Sequence, residues 1–242
     1  AQAGDCSIVC LSALASVMEL GYWKIRGLGA PLRMVLEYKE VQYTDKQYAE
    51  FPEWFKDGKP AIEQKNPFAN LPYLVDGDTV VCQTNSVFAY LAEKLDMAGK
   101  DLQTRTLHNT LLCESYDVRD AMVNIIYPFK KVCRTPEEFA EQSKEKLENP
   151  PFAKFETSLE RRGGDWFVLP DGPSPADFHI WELLDQWKLL GEKQGKSDVL
   201  DKFPKCKAFH QRVRELPTLQ KYFTEGAYKL PINVEGAGAQ FF

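Results

Sequence analysis

The chain carries no Cys-x-x-Cys pair, only three histidines, and no run of basic residues. Each shortage removes a class of function. His108, His179 and His210 stand singly, without the spacing that metal ligands show, so no metal site is expected. Cys6, Cys10, Cys82, Cys113, Cys133 and Cys206 are too scattered for a disulfide framework. They read as free thiols in a reducing compartment, the cytoplasm. A formal net charge of −5 without a basic patch argues against nucleic-acid binding. No apolar stretch reaches the ~20 residues that a membrane-spanning helix needs. What is present is ample material for a core. The 242 residues are 44% apolar, enough for one large or two modest domains.

The ends differ from the rest. Ser7 to Val17 is small and apolar, and Ala13-Leu14-Ala15 has the form of a signal-cleavage site, but no basic residue precedes it. Residues 1–18 read as an ordinary extension. The alternative is a targeting remnant that would send the protein to an organelle. Residues 231–242 read as a tail, Gly-rich from Glu235, of the kind that frays unless tied down.

Between the ends the pattern changes once. Glu19 to Ile25 reads as a strand, and Ala30 to Tyr38 as a helix with Leu32, Val35 and Leu36 on one face. Val41 to Thr44 alternates like a half-buried strand, and Phe51 to Gly58 as a short helix or irregular segment. A hairpin and a further helix complete an α/β unit over 19–98, and 99–106 reads as a linker around Gly99. Residues 107–230 read as helical throughout. Thr135 with Glu138, and Ser174 with Asp177, have the spacing of helix caps.

The hairpin carries the most chemistry. Asn70-Leu71-Pro72-Tyr73-Leu74-Val75-Asp76-Gly77 opens on a proline at the first strand position, where a ladder donor is expendable. A cis bond there turns the chain and leaves the Leu71 backbone to pair with an extended ligand. Gln83-Thr84-Asn85-Ser86 then starts a helix, with Thr84 as cap. The bare N–H groups of that helix start suit a carboxylate. One stretch thus offers a peptide-docking edge beside an anion site.

Three motifs together resemble the cytosolic glutathione transferases, with the mu class nearest. They are Gly21-Tyr22-Trp23-Lys24-Ile25-Arg26-Gly27, the Arg33-x3-Glu37-Tyr38 helix end and the Asn-Leu-Pro-Tyr-Leu-x-Asp-Gly hairpin. The resemblance spans roughly residues 18–230. It implies a thioredoxin-like α/β N-terminal domain with a mixed four-stranded sheet, followed by an all-α C-terminal domain. It implies conjugation of glutathione, as substrate, to hydrophobic electrophiles, and a homodimer. Tyr22 matches the tyrosine that activates the thiol. A phenol O–H donated to sulfur favours the thiolate, which is the nucleophile. Trp23 and Trp54 match pocket tryptophans, although either can be core. Lys59 or Lys56 matches the lysine at the glycyl carboxylate. Asn70 and Leu71 match the cysteinyl contacts, and Gln83 and Thr84 the γ-glutamyl contacts. Asp117, with Asp120 as its competitor, matches an aspartate that reaches the partner's glutathione. Tyr127 matches the tyrosine over the electrophile site, and Phe68 the aromatic key between subunits.

The chain departs from this pattern in two places. Phe51 stands where the mu class has an arginine, and the segment before Asn70 is a few residues longer. These departures and the extended N-terminus motivate an alternative, a non-catalytic binding subunit of a larger assembly. A lipid isomerase using the same thiolate is a third reading. A thioredoxin-type redox protein lacks its Cys-x-x-Cys here.

Overall fold

The computed structural model describes residues 17–242. Cys6, Cys10 and nearly all of the signal-like segment lie outside the described residues. The order is β1 (Met18–Trp23), α1 (Gly29–Tyr38), β2 (Tyr43–Tyr48), a π-helical turn (Glu53–Gly58) running into α2 (Lys59–Glu63), β3 (Tyr73–Asp76), β4 (Thr79–Cys82) and α3 (Thr84–Lys94). Helices follow: α4 (Leu102–Ile126), α5 (Pro136–Glu148), α6 (Ala153–Arg162), α7 (Pro175–Lys193), α8 (Pro204–Arg214) and α9 (Gln220–Thr224).

The four strands form one mixed sheet in the order β2-β1-β3-β4. β1 pairs parallel with β2, Leu20 opposite Asp45, and antiparallel with β3, Leu20 opposite Leu74. A two-residue turn closes the hairpin, with Gly77 at φ 59° between Asp76 and Thr79. The Leu71–Pro72 peptide bond is cis. This is a thioredoxin-like domain followed by a helical one.

Two expected boundaries move. α4 starts at Leu102, inside the expected linker, because Asp101 caps it by accepting the Thr104 N–H at 2.8 Å. At α3 the cap position is Gln83, held at φ 73°, and Thr84 is the first helical residue. No side chain caps that helix.

α7 is the keel of the molecule. Its residues from Pro175 to Trp187 are buried all round, and it packs on α1, α4 and α8. Its start is fixed by Asp177, whose carboxylate accepts the Phe167 N–H at 2.8 Å, the Ser174 N–H at 2.9 Å and the Ser174 hydroxyl at 2.6 Å. Such caps contribute about 1 kcal/mol each. The tail does not fray. Ile232, Asn233, Ala239 and Phe241 are buried, and the Gln240 N–H donates to the Ile126 carbonyl at 3.0 Å.

Candidate active site

Tyr22 lies near the end of β1 with its ring turned under the loop that follows. The residue is 4% exposed, and its Oη accepts the Leu28 N–H at 3.0 Å. The close approach needs glycine. A Cβ on Gly29 would sit 2.5 Å from Tyr22 Cδ1, and one on Gly27, whose φ is +39°, 2.8 Å from Tyr22 Oη.

Three anchors hold this loop. From within the domain, buried Arg33 donates to the carbonyls of Ile25 at 2.7 Å and Trp23 at 3.4 Å while pairing with Asp45 at 3.0 Å. From the helical domain, Glu182 and Asp185 of α7 receive the Arg26 guanidinium at 2.9 and 2.6 Å. Tyr228 lies under the same guanidinium, 4.3 Å from ring centre to Cζ. His210 Nε2 meets Asp185 Oδ1 at 2.9 Å. Burial works against the Asp185 charge, but the His210 hydrogen bond and the Arg26 charge outweigh it and hold that carboxyl down at about 2. Burial instead pushes the Glu182 carboxyl up. From the tail, the carbonyls of Pro231 and Ile232 accept the N–H groups of Arg26 at 2.7 Å and Gly27 at 3.1 Å.

Beside Tyr22 a cavity of about 430 Å³ opens between the two domains. Trp23, Phe51 and Phe129 give it aromatic walls, and Arg119, Val123 and Tyr127 line it from α4 or its C-terminal end. Asn233, Val234 and Ala237 of the tail close one side. The tail holds Tyr127 directly: its Oη accepts the Val234 N–H at 3.0 Å and donates to Asn233 Oδ1 at 3.3 Å. Burial pushes the Tyr127 phenol up, so it stays a neutral proton donor at neutral pH. A larger hollow of about 690 Å³ lies between α4 and α6, lined by Lys154, Ser158 and Arg161, and contains none of the predicted site residues.

The structure therefore brings Tyr22, Trp23 and Tyr127 to one cavity. Leu71 packs against the Tyr22–Ile25–Leu28 cluster, as does Tyr116. Gln83 is exposed beside the uncapped start of α3. The Leu71 N–H is already taken, by Asn70 Oδ1 at 2.9 Å, so a ligand that uses it displaces the Asn70 side chain. Trp54 does not line the cavity. It is 2% exposed, its ring stacked 6.0 Å from Tyr73 and edge-on at 5.3 Å to Tyr48. Lys59 pairs with Glu63 at 3.5 Å. Asp117 is exposed on α4, and Phe68 is 72% exposed ahead of β3, its N–H bound to Asn66 Oδ1. Neither reaches the Tyr22 cavity.

Residues 18–93 match the family model for the glutathione S-transferase N-terminal domain, and residues 116–226 that for the C-terminal domain. The chain is 31% identical to glutathione S-transferase Mu 1 of Oryctolagus cuniculus over 91% of its own length and 97% of that protein. It is 32% identical to glutathione S-transferase 2 of Onchocerca volvulus, over 90% and 98%. The chain belongs to the glutathione S-transferase family. The fold agrees: the solved structure of the Onchocerca volvulus Pi-class glutathione S-transferase superposes with a TM-score of 0.74 at 29% identity, covering 91% of this chain and 99% of that one.

In this glutathione S-transferase, sequence reasoning missed the residues that brace Tyr22. Glu182 and Asp185 could have been found, as an i, i+3 acid pair set among Phe178, Ile180, Trp181, Leu183, Leu184 and Trp187. Arg33 was legible as a lone cation on the buried face of α1. In the tail, Val234 acts through its backbone N–H, which any residue but proline supplies, and the Asn233 side chain meets Tyr127, 106 residues away in sequence, through the fold alone.

Proposed function

We propose that this glutathione S-transferase joins the thiolate of glutathione to hydrophobic electrophiles, with Tyr22 stabilising the thiolate. One observation carries the reading. The Tyr22 oxygen already accepts the Leu28 N–H, and among the described residues its own O–H has no acceptor, so that proton is available to a sulfur at the cavity mouth. The γ-glutamyl carboxylate sits on the N–H groups of the α3 start, with Gln83 and the Thr84 hydroxyl beside it. Leu71 pairs with the cysteinyl unit through its backbone, and Asn70 swings aside. Trp23 walls the site, and Trp54 supports it from the core. Lys59 turns from Glu63 to the glycyl carboxylate. The bound thiol loses its proton to solvent, the thiolate forms the S–C bond, and the leaving group departs or the π pair moves onto a carbonyl. Tyr127 lines the electrophile side.

The working form is a homodimer in which exposed Phe68 inserts into the partner and Asp117 reaches the partner's glutathione. The free cysteines of the described residues fit work in the cytoplasm. Retention on immobilised glutathione, followed by conjugation of chlorodinitrobenzene, tests the reading. Retention with turnover reduced about tenfold or more in Tyr22→Phe near neutral pH supports it. A wild-type protein that neither binds glutathione nor turns over overturns it.

A further inference from the structure

Single large apolar side chains on a surface are ordinary, but several gathered about one opening are not. Phe51 and Phe55 stand exposed on the α/β side, their rings 6.4 Å apart and 5.5 and 6.1 Å from that of Trp23. On the helical side, Phe129 is 61% and Val132 50% exposed, in the short connection from α4 to α5. Trp23, Phe51 and Phe129 all border the opening in front of Tyr22.

The connection holds its apolar groups outward. The Lys130 N–H donates to the Tyr127 carbonyl and the Lys131 N–H to the Pro128 carbonyl, both at 2.9 Å. Gln240 Nε2 reaches the Cys133 carbonyl at 3.4 Å. Cys133 is fully buried, while Val132 and Arg134 on either side of it are exposed.

Charge accompanies these apolar tips. From Tyr127 to Thr135 the chain carries Lys130, Lys131 and Arg134 and no acid. Lys24 and Lys56 stand exposed next to Trp23 and Phe55 in the chain. Among the described residues none of these five cations belongs to an ion pair. Of the neighbouring acids, Glu53 turns its carboxylate to the N–H groups of Ala49 and Glu50, and Glu138 turns its own to that of Arg134. Asp57 is exposed. An acidic chain thus gathers unpaired cations from separate stretches around one aromatic rim.

We propose that this rim docks on a membrane surface carrying anionic phospholipid. Phe55, Phe129 and Val132 enter the headgroup layer, and the five cations meet the lipid phosphates and carboxylates. Four of the five are lysines, flexible point charges that follow a fluid headgroup layer rather than forks cut for one fixed partner. A second copy of the chain is the poorer cover, because a two-fold contact would set these cations against their own likes. Docked in this way, the Tyr22 cavity opens onto the membrane interface. The proposal goes beyond the conjugating reading and does not depend on it.

The test is co-sedimentation of the full-length protein with vesicles of equimolar phosphatidylcholine and phosphatidylserine, beside vesicles of phosphatidylcholine alone. The wild type partitions onto the anionic vesicles, far less onto the neutral ones, and the difference shrinks with added salt. Each cation near such a surface is worth about fivefold in partition, so the triple variant Lys130→Gln, Lys131→Gln, Arg134→Gln loses on the order of a hundredfold. The double variant Phe55→Ser, Val132→Ser also loses partition, yet keeps its preference for the anionic vesicles. Wild-type protein that stays in solution with both vesicles overturns the proposal. So does binding that survives unchanged in the triple variant, which would place the contact elsewhere. Light scattering without vesicles decides against a second copy: a higher oligomer that the double variant abolishes, with no vesicle partition, overturns it in favour of self-association. If either variant fails to fold, the wild-type ratio between the two vesicle types and its salt dependence decide alone.

Discussion

Removing the Tyr22 hydroxyl probes the chemistry at its centre. In the structure that hydroxyl belongs to a residue 4% exposed and accepts the Leu28 N–H at 3.0 Å. Shielded from water, a bond donated from it to a charged sulfur falls in the range of about 1.5–3 kcal/mol. One pKa unit corresponds to about 1.4 kcal/mol, so glutathione bound to Tyr22→Phe titrates roughly one to two units higher than on the wild type. Near neutral pH the thiolate fraction, and kcat/KM with it, drops about tenfold to a hundredfold. The deficit shrinks as the pH is raised through the new thiol pKa. The measurement is the ultraviolet absorbance of the bound thiolate against pH, with conjugation of chlorodinitrobenzene run in parallel. The substitution has a second effect that must be kept apart from the first. It leaves the Leu28 N–H without its acceptor, at a cost of about 1–3 kcal/mol in urea unfolding. A variant that loses this stability while its bound thiol titrates as in the wild type would refute the reasoning, because Tyr22 would then only brace the loop.

Asp185→Asn is expected to lose about 2 kcal/mol at neutral pH. Against burial, the His210 hydrogen bond and Arg26 depress its carboxyl from 3.8 to about 2, so its contribution is present above the unfolded value and lost as the pH falls towards the folded one. Urea midpoints of variant and wild type should therefore converge from about pH 4 downwards, and a gap that stays constant into acid contradicts the assignment. Truncation after Leu230 removes the two tail carbonyls from Arg26 and Gly27 and both tail partners from Tyr127. The expected result is a fall in kcat with electrophiles of several-fold or more, with the glutathione Kd changed far less. Equal losses in both would place the tail's role in general stability.

Elements set by local periodicity and turn chemistry were legible in the sequence. Asp76-Gly77 sets the hairpin, Thr135 accepts the Glu138 N–H to start α5, and Asp177 closes the box at α7. Legibility failed where tertiary context overrides local preference. Thr84 is a good cap by type, yet the turn out of β4 puts Gln83 at φ 73° and makes that residue the cap. Met97 to Thr104 is polar enough to pass for a linker, although Asp101 followed by Thr104 was a visible start signal for α4. At Trp54 a single chain of letters cannot separate pocket from core. What buries it is contact with Tyr48 and Tyr73, strand residues brought to it by the sheet. The segment Glu53–Gly58 takes a π-helical turn, a form that local periodicity does not announce. Tyr22, Trp23 and Tyr127 were named through the family resemblance, whereas Phe51 and Phe129, which also wall the cavity, were not read as lining residues. The tail's part was not legible, because it is played largely by peptide groups.

By position in the chain, Tyr22 belongs to the thioredoxin-like domain. By its anchoring, the loop behind it belongs equally to α7, through Arg26 and the carboxylates of Glu182 and Asp185. Chimeras that exchange helical domains between relatives therefore have a hidden compatibility rule. A donor helical domain without the acid pair would strand a buried guanidinium beneath the tyrosine loop, and a donor α/β domain without Arg26 would strand two carboxylates. Recombination at the domain boundary should yield working enzymes only when all three charges travel as one inherited unit.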